Sequence, residues 1–231
     1  MAARKRAFDV VVSAAALVVL APVLAIVAIA VKLDSRGPVF FVQQRIGRGG
    51  VPFGIVKFRT MAAGADGPNV SASGDDRITR VGRLLRGCFV DEAPQLLNVL
   101  QGDMSLVGPR PETPEYAALL TADEQRILSV RPGMTGPSTL AYSATEAALL
   151  ADQAQPDRFY RDHLLHARIR ADLDYLERTG LREDVRVLAK TSWQPRHQLE
   201  LGGAPSPSDF RIDFFFERSS SFLRTSVRPH N

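Results

Sequence analysis

Cysteine is almost missing from this chain: Cys88 is the single one in 231 residues. No disulfide framework can form within it, and the composition fits a reducing compartment. Nothing beside Cys88 argues for a nucleophilic thiol, so it is read as a packing residue. Histidine is scarce too, with four. His163 and His166 share one helical stretch without a further ligand set, which makes them polar-face residues rather than a metal centre. Acids are nearly absent from the beginning of the chain. Only Asp9 and Asp34 offset Arg4, Lys5, Arg6, Lys32, Arg36, Arg45, Arg48, Lys57 and Arg59 in residues 1–60, a segment of +7 in a chain of +4. The remainder carries −3, which argues against nucleic acid as a partner.

The early basic residues flank the greasiest part of the chain, a placement that favours anionic lipid and phosphate-bearing ligands. From Val10 to Val31 there are 22 residues without a charge. As a helix they would extend about 30 Å, enough for a bilayer. Three readings compete: a spanning helix, a cleaved signal peptide, and a helix that enters and returns. The run exceeds the usual apolar core of a signal peptide. Pro22 lies near its middle, where it removes a backbone donor and tends to break or bend a helix. Basic residues stand on both flanks, and the positive-inside rule would keep both on the cytoplasmic face. Spanning and re-entry remain open on these residues alone.

Beyond this run, Gly37 to Met61 reads as a β-hairpin, two Val/Ile/Phe-rich runs around Gly47-Arg48-Gly49-Gly50. Residues 62–75 are a Gly-rich loop. Arg77 to Arg86 has Ile78, Val81 and Leu84 or Leu85 at helical spacing, its arginines on a solvated face or on lipid headgroups. A short helix is expected from Ala93 to Leu100, and another begins at Thr113-Pro114. Thr121 to Glu124 forms a capping box. A long amphipathic helix runs from Asp157 to Thr179, with Leu165, Ile169, Leu173 and Leu176 on one face. From Trp193 the chain turns Pro-, Gly- and Ser-rich apart from Phe214-Phe215-Phe216, and reads as a tail.

Two adjacent acids, Asp91 and Glu92, stand out in "RLLRGCFVDEAPQLLNVLQGDMSLVGPRP" (Arg83 to Pro111). Asp91 can be a helix N-cap ahead of the turn that contains Pro94. The same position attracts phosphate, because the positive end of a helix lies there. Arg86 precedes Asp91 by five residues and Arg110 follows it by nineteen. The planar fork of arginine matches phosphate oxygens, and Pro109 and Pro111 stiffen the turn that holds Arg110. Two acids and two arginines suit Mg²⁺ with a diphosphate; structural ion pairs are the alternative.

At this point the chain resembles the bacterial sugar transferases, the monotopic phosphoglycosyl transferases. The matching stretches are "KRAFDVVVS", "GPVFFVQQRIG", "VKFRTM", "DDRITRVGRLLR", "DEAPQLLNVLQGDMSLVGPRPE" and "VRPGMTG", in family order over about residues 4–190. The resemblance implies transfer of a phospho-sugar from a nucleotide diphosphate sugar, usually a UDP-sugar, to undecaprenyl phosphate, with UMP released. It implies that Asp91 is the nucleophile, that Glu92 is a metal ligand or proton-transfer group, and that Mg²⁺ is required. Arg86, Arg110, Lys57 and Arg59 are then the phosphate and nucleotide ligands, with Pro109 and Pro111 beside the nucleotide. The family's membrane helix is re-entrant, with its break falling here on Ala21 and Pro22, and it favours re-entry over spanning.

The fold expected is therefore α+β and mainly helical. A re-entrant membrane helix (1–36) precedes one small catalytic domain (37–192) built from a β-hairpin and amphipathic interfacial helices, and a tail (193–231) follows. The chain is expected to be the small form, without the extra membrane domain of larger members. Its place is the cytoplasmic face of a bacterial inner membrane, with anionic phospholipids and downstream glycosyltransferases as partners. Three departures stand against the family pattern. Ala21 replaces a usual Ser, Phe89-Val90 replaces Ser-Leu, and Ala93 replaces Leu. A catalytically silent membrane adaptor is the rival reading, and it predicts no loss of function when Asp91 becomes Asn.

Overall fold

The computed structural model describes residues 2–64, 75–143, 146–151 and 153–193. It is a mainly helical α+β chain with two small sheets. Helix α1 (Ala2–Asp34) is the long apolar run, long and apolar enough to cross a membrane. Strands β1 (Phe40–Ile46) and β2 (Pro52–Phe58) form the expected antiparallel hairpin, in register from Phe40 opposite Phe58 to Ile46 opposite Pro52. Helices α2 (Arg80–Gly87) and α3 (Gln95–Gln101) bracket a 3₁₀ turn at Val90–Glu92. Strand β3 (Ser105–Val107) pairs in parallel with β4 (Gly133–Thr135). Between these strands lie α4 (Pro114–Ala117) and a 3₁₀ helix at Glu124–Ser129. Helices α5 (Pro137–Tyr142), α6 (Glu146–Ala151), α7 (Pro156–Phe159), α8 (Leu165–Leu176) and α9 (Leu181–Trp193) complete the described chain.

Helix α1 lies along the body rather than apart from it. Phe8, Val12, Ala16, Leu17 and Leu20 pack on a core that includes Val99, Met104, Val107 and Val187. Leu24, Val27 and Ala28 join Val31 against Phe58 and Leu85. The opposite face, with Val18, Val19, Ile26, Ile29 and Leu33, is exposed and wholly apolar. Polar residues tie down both ends. Lys5 Nζ donates to Asp184 Oδ2 at 2.6 Å and to Val107 O at 3.1 Å. Arg6 donates to Val99 O and Leu100 O, at the carbonyl end of α3 where a cation is favoured. Asp9 is buried and accepts from Ser105 Oγ at 2.9 Å. At the other end, Asp34 Oδ2 accepts from Val81 N in the first turn of α2. The basic start of the chain, expected only as a membrane flank, is thus partly a protein–protein clasp. The helix runs without interruption through Ala21 and Pro22, where a break was expected.

Several boundaries differ from expectation for local reasons. Helix α2 starts at Arg80 because Thr79 caps it, its side chain accepting from Gly82 N at 3.0 Å, while Ile78 bridges to Met61. The Thr121–Glu124 box forms, Glu124 Oε2 accepting from Thr121 N at 2.9 Å, but it opens a 3₁₀ helix. The long helix after Asp157 contains a π turn at Tyr160–Leu164, which rotates the face behind it. Within α8 the buried stripe runs through Leu165, Arg168, Ile169, Asp172 and Tyr175, whereas Leu173 is only half-buried. Cys88 is exposed rather than packed. His166 Nδ1 meets Glu124 Oε1 at 2.8 Å, and His163 rests on the Phe159 ring. The tail's Phe214 to Phe216 lies outside the described residues.

One buried amide fixes the site's geometry. Asn98 on α3 is 1% exposed; its Oδ1 accepts from Val56 N at 3.1 Å and its Nδ2 donates to Gly54 O at 2.8 Å. It bonds the β2 backbone as a neighbouring strand would, one residue before Lys57. Asn98→Ala will leave both backbone groups without partners and lower unfolding stability by about 2–4 kcal/mol, measured by denaturant titration. A loss below about 0.5 kcal/mol would show that water replaces the amide.

Candidate active site

The acid pair sits on the 3₁₀ turn between α2 and α3, and the turn is entered through a strained residue. Phe89 has φ of 56°, the one non-glycine positive φ among the described residues. A β-carbon in this left-handed region costs about 1–2 kcal/mol. The N-cap of α3 is Pro94, so Asp91 is not the cap. Its carboxylate, 8% exposed, lines a cleft of about 610 Å³ and makes no ion pair among the described residues. Burial, then the adjacent Glu92, push Asp91 up to about 6.

Glu92 behaves oppositely. Burial alone would raise its pKa, but Lys57 and then Arg110 overcome that and hold it at about 2. Lys57 Nζ reaches Glu92 Oε1 at 3.0 Å. The two neighbouring carboxylates are thus differentiated by their surroundings: Glu92 is neutralised by cations, Asp91 is left with its charge unpaired.

Four expected ligands line the cleft with the acids: Lys57, Arg59, Arg86 and Arg110. Arg86 is steered by its Nε, which donates to Thr60 Oγ1 at 2.8 Å. The residue is half-buried and lines the cleft. Arg110 follows β3 on the Pro109–Pro111 turn, and its backbone N–H donates to Asp172 Oδ2 at 3.0 Å. Asp172 also accepts from Ser138 N and Ser138 Oγ, so α8 and the first turn of α5 together seat the turn. Pro111 O is held by Arg45 Nη1 at 3.1 Å.

Arg59 borders the cleft, and its guanidinium donates to Ser35 O at 2.7 Å, Val31 O at 3.3 Å and Arg36 O. The carbonyl end of α1 is a concentration of partial negative charge, and the guanidinium of Arg59 caps it. Arg59 thus clasps α1 while also bordering the cleft, a contact that the sequence did not reveal.

The cleft also contains groups that sequence reasoning missed. Arg45 projects from β1 with Nη2 donating to Gln43 Oε1 at 2.7 Å. Glu112 is 4% exposed and accepts from Tyr160 Oη at 3.1 Å to Oε2. Burial and that carboxylate push the Tyr160 hydroxyl well above its usual range, so it remains a donor. Tyr160 stacks near Tyr116 with ring centroids 4.7 Å apart. Arg45 was legible as a basic residue interrupting an apolar strand; Glu112 and Tyr160 carry no comparable signal.

The donor set bears on a metal. Among the described residues no cluster of three or more His, Cys, Asp or Glu side chains could cage an ion. Mg²⁺, however, commonly binds through one or two carboxylates plus substrate phosphates while keeping its waters. Asp91 and Glu92, side by side in a cleft lined by arginines, fit that mode.

The known proteins that this chain resembles include undecaprenyl-phosphate sugar phosphotransferases. It is 43% identical over 203 residues to a UDP-glucose:undecaprenyl-phosphate glucose-1-phosphate transferase of Caulobacter vibrioides, covering 81% of this chain and 68% of the relative. An undecaprenyl-phosphate glucose phosphotransferase of Komagataeibacter xylinus is 39% identical over 196 residues, covering 81% of this chain but 35% of the relative. The exopolysaccharide production protein PSS of Rhizobium leguminosarum is 39% identical over 197 residues, covering 81% of this chain and 92% of the relative. The bacterial sugar transferase family matches residues 1–197, a span that holds the acid pair and both ends of α1. With its helix-clasped acid pair and the extent of that match, the chain belongs to the bacterial sugar transferase family.

Proposed function

We propose that this chain transfers a sugar-1-phosphate from a UDP-sugar to undecaprenyl phosphate through a covalent intermediate on Asp91. The observation that carries the reading is a buried carboxylate without an ion-pair partner, in a cleft shared with Arg86, Arg110 and Lys57. A carboxyl near 6 is largely ionised at pH 7 and more basic than an ordinary aspartate, which favours nucleophilic attack. The Asp91 oxygen attacks the sugar-bearing phosphorus. The bond to the α-phosphate oxygen breaks, and UMP departs with that electron pair. A phosphate oxygen of the lipid then attacks the same phosphorus, the aspartyl ester bond breaks, and Asp91 is restored. Arg86 and Arg110 offset the repulsion between carboxylate and diphosphate in both steps.

Mg²⁺, held by Asp91 and Glu92 together with the donor phosphates, would supply further charge neutralisation when bound. Glu92, kept ionised by Lys57 and Arg110, serves as an anionic ligand rather than a proton carrier. The test is UMP release in lipid nanodiscs with Mg²⁺. Donor alone should give a burst of at most one UMP per chain, and undecaprenyl phosphate should convert the burst to steady turnover. A need for both substrates before any UMP appears would overturn the double displacement.

Helix α1 is read as re-entrant and attached to one leaflet. Its support is that residues at both ends, Lys5 and Asp34, bond to the same folded body while the outward face is apolar. The exposed arginines of α2 and the apolar Leu84 and Phe89 suit an anionic lipid surface nearby. The expected labelling result is symmetric. In a Cys88→Ala background, Ala3→Cys and Ser35→Cys will both react with an impermeant thiol reagent from the cytoplasmic side. Reaction from opposite sides would establish a span.

A further inference from the structure

One arginine of the body is neither on the surface nor in the reaction described above. Arg168 on α8 is 1% exposed, and burial, then Arg110, lower its pKa to about 10. None of its Nε, Nη1 and Nη2 has a hydrogen-bond partner of ordinary geometry among the described residues. A buried guanidinium whose Nε and Nη2 have no acceptor among the described residues is expensive, and natural structures retain such groups where they serve a purpose. Among the described residues it forms an ion pair with Glu146, the first residue of α6, whose Oε2 faces Arg168 Nη1. Glu146 lines the same cleft as Asp91, Glu92, Arg110 and Tyr160.

A carboxylate in a cleft that takes a diphosphate cannot be a phosphate ligand, because like charges would repel. It is suited instead to accept hydrogen bonds from hydroxyl groups, two to a carboxylate when the hydroxyls are vicinal. The arginine behind it orients it, as supporting residues do in built sites. A UDP-sugar offers vicinal hydroxyls in two places, the hexose and the ribose. The hexose is bonded directly to the phosphorus that Asp91 attacks. The electrostatic neighbours of Glu92 and of Arg168 overlap at Arg110 and Arg45, placing Glu146 in the surroundings of the acid pair.

We infer that Glu146, positioned by the buried Arg168, accepts the hydroxyls of the donor hexose and so discriminates among UDP-sugars. This rests on the proposed transfer reaction and names the residue that reads its sugar. Glu146→Gln keeps the side chain's size while removing its charge and one acceptor. Its donor KM for the preferred UDP-hexose should rise on the order of 10- to 100-fold, as for loss of a hydrogen bond to a charged group. The preference between UDP-hexoses that differ at one hydroxyl should narrow by a similar factor. UMP contains the ribose but no hexose, so its inhibition constant should stay within about two-fold, which also reports an intact fold. Arg168→Lys should shift the same two donor parameters in the same direction by less.

The outcomes separate. Unchanged donor KM and preference in Glu146→Gln would overturn the assignment while leaving the transfer reaction in place. A parallel loss of UMP affinity would assign Glu146 to the ribose or to the fold, and overturn the hexose reading. A wild-type chain that releases UMP from no donor would fail at the transfer reaction itself and take this assignment with it.

Discussion

Asp91→Asn will lower UMP release by at least about 10³-fold, the scale on which loss of a covalent nucleophile is felt, and will leave the chain at least as stable as before. The amide has the size of the carboxylate but no comparable nucleophilicity, so no phospho-sugar should become attached to the chain on incubation with donor. The stability half of the prediction follows from burial. Asp91 is raised to about 6, first by burial and then by Glu92, so the folded state favours its neutral form. A group raised in this way costs stability at pH values above its unfolded pKa, and a neutral Asn removes that cost. Thermal melting should therefore show no drop. Activity lost with stability kept separates chemistry from scaffolding. A silent adaptor predicts neither a loss of function nor a covalent adduct in the parent chain, and intact-mass measurement of parent and variant decides between them.

The hairpin and the acid turn were legible because their signals are local. Val/Ile/Phe runs around a glycine-rich turn define β1 and β2, and Asp91-Glu92-Ala93-Pro94 is an unusual string between two helical patterns. Arg86 and Arg110 could be singled out from the sequence alone, and both line the cleft with the acids. The clasp that Arg59 makes was hidden because its partner is remote in sequence: no local pattern says that the carbonyl end of α1 will arrive beside it. Lys5 and Arg6 are another instance, charged residues before an apolar run that meet Asp184 and the end of α3.

The buried charges of α8 show a different limit. Periodicity placed Leu173 on the inner face and left Arg168 and Asp172 outside. The buried stripe of α8 includes Arg168 and Asp172 at regular helical spacing from Leu165, but charged residues in an amphipathic pattern are read as solvated by default. Arg168 and Asp172 instead lie behind the cleft, where Asp172 binds the backbone of Arg110. Asn98 was likewise hidden within "QLLNVL", where a polar residue inside an apolar helix reads as a defect until its strand partner is known.

Lys57→Met gives the second large effect, and it asks which of two jobs the lysine does. As a phosphate ligand it would act on the donor directly. As the partner of Glu92, which it reaches at 3.0 Å, it acts through the acid pair. The side chains of Lys57 and Glu92 are 18% and 22% exposed, and Arg110 and Arg45 remain after the substitution. The stability cost should thus lie below the 3–5 kcal/mol of a fully buried pair, at about 1–3 kcal/mol. Turnover should fall about 10²- to 10³-fold, the effect typical of a lost electrostatic stabiliser. A cycle with Glu92→Gln resolves the two jobs. If Lys57 works by fixing Glu92, the double variant will be no less active than either single one and more stable than Lys57→Met, because the uncompensated carboxylate is gone. If Lys57 instead holds the donor phosphates, the two losses in turnover will multiply, and donor KM will rise in Lys57→Met whether or not Glu92 is present. The 3.0 Å ion pair and the depressed Glu92 carboxyl favour the first result.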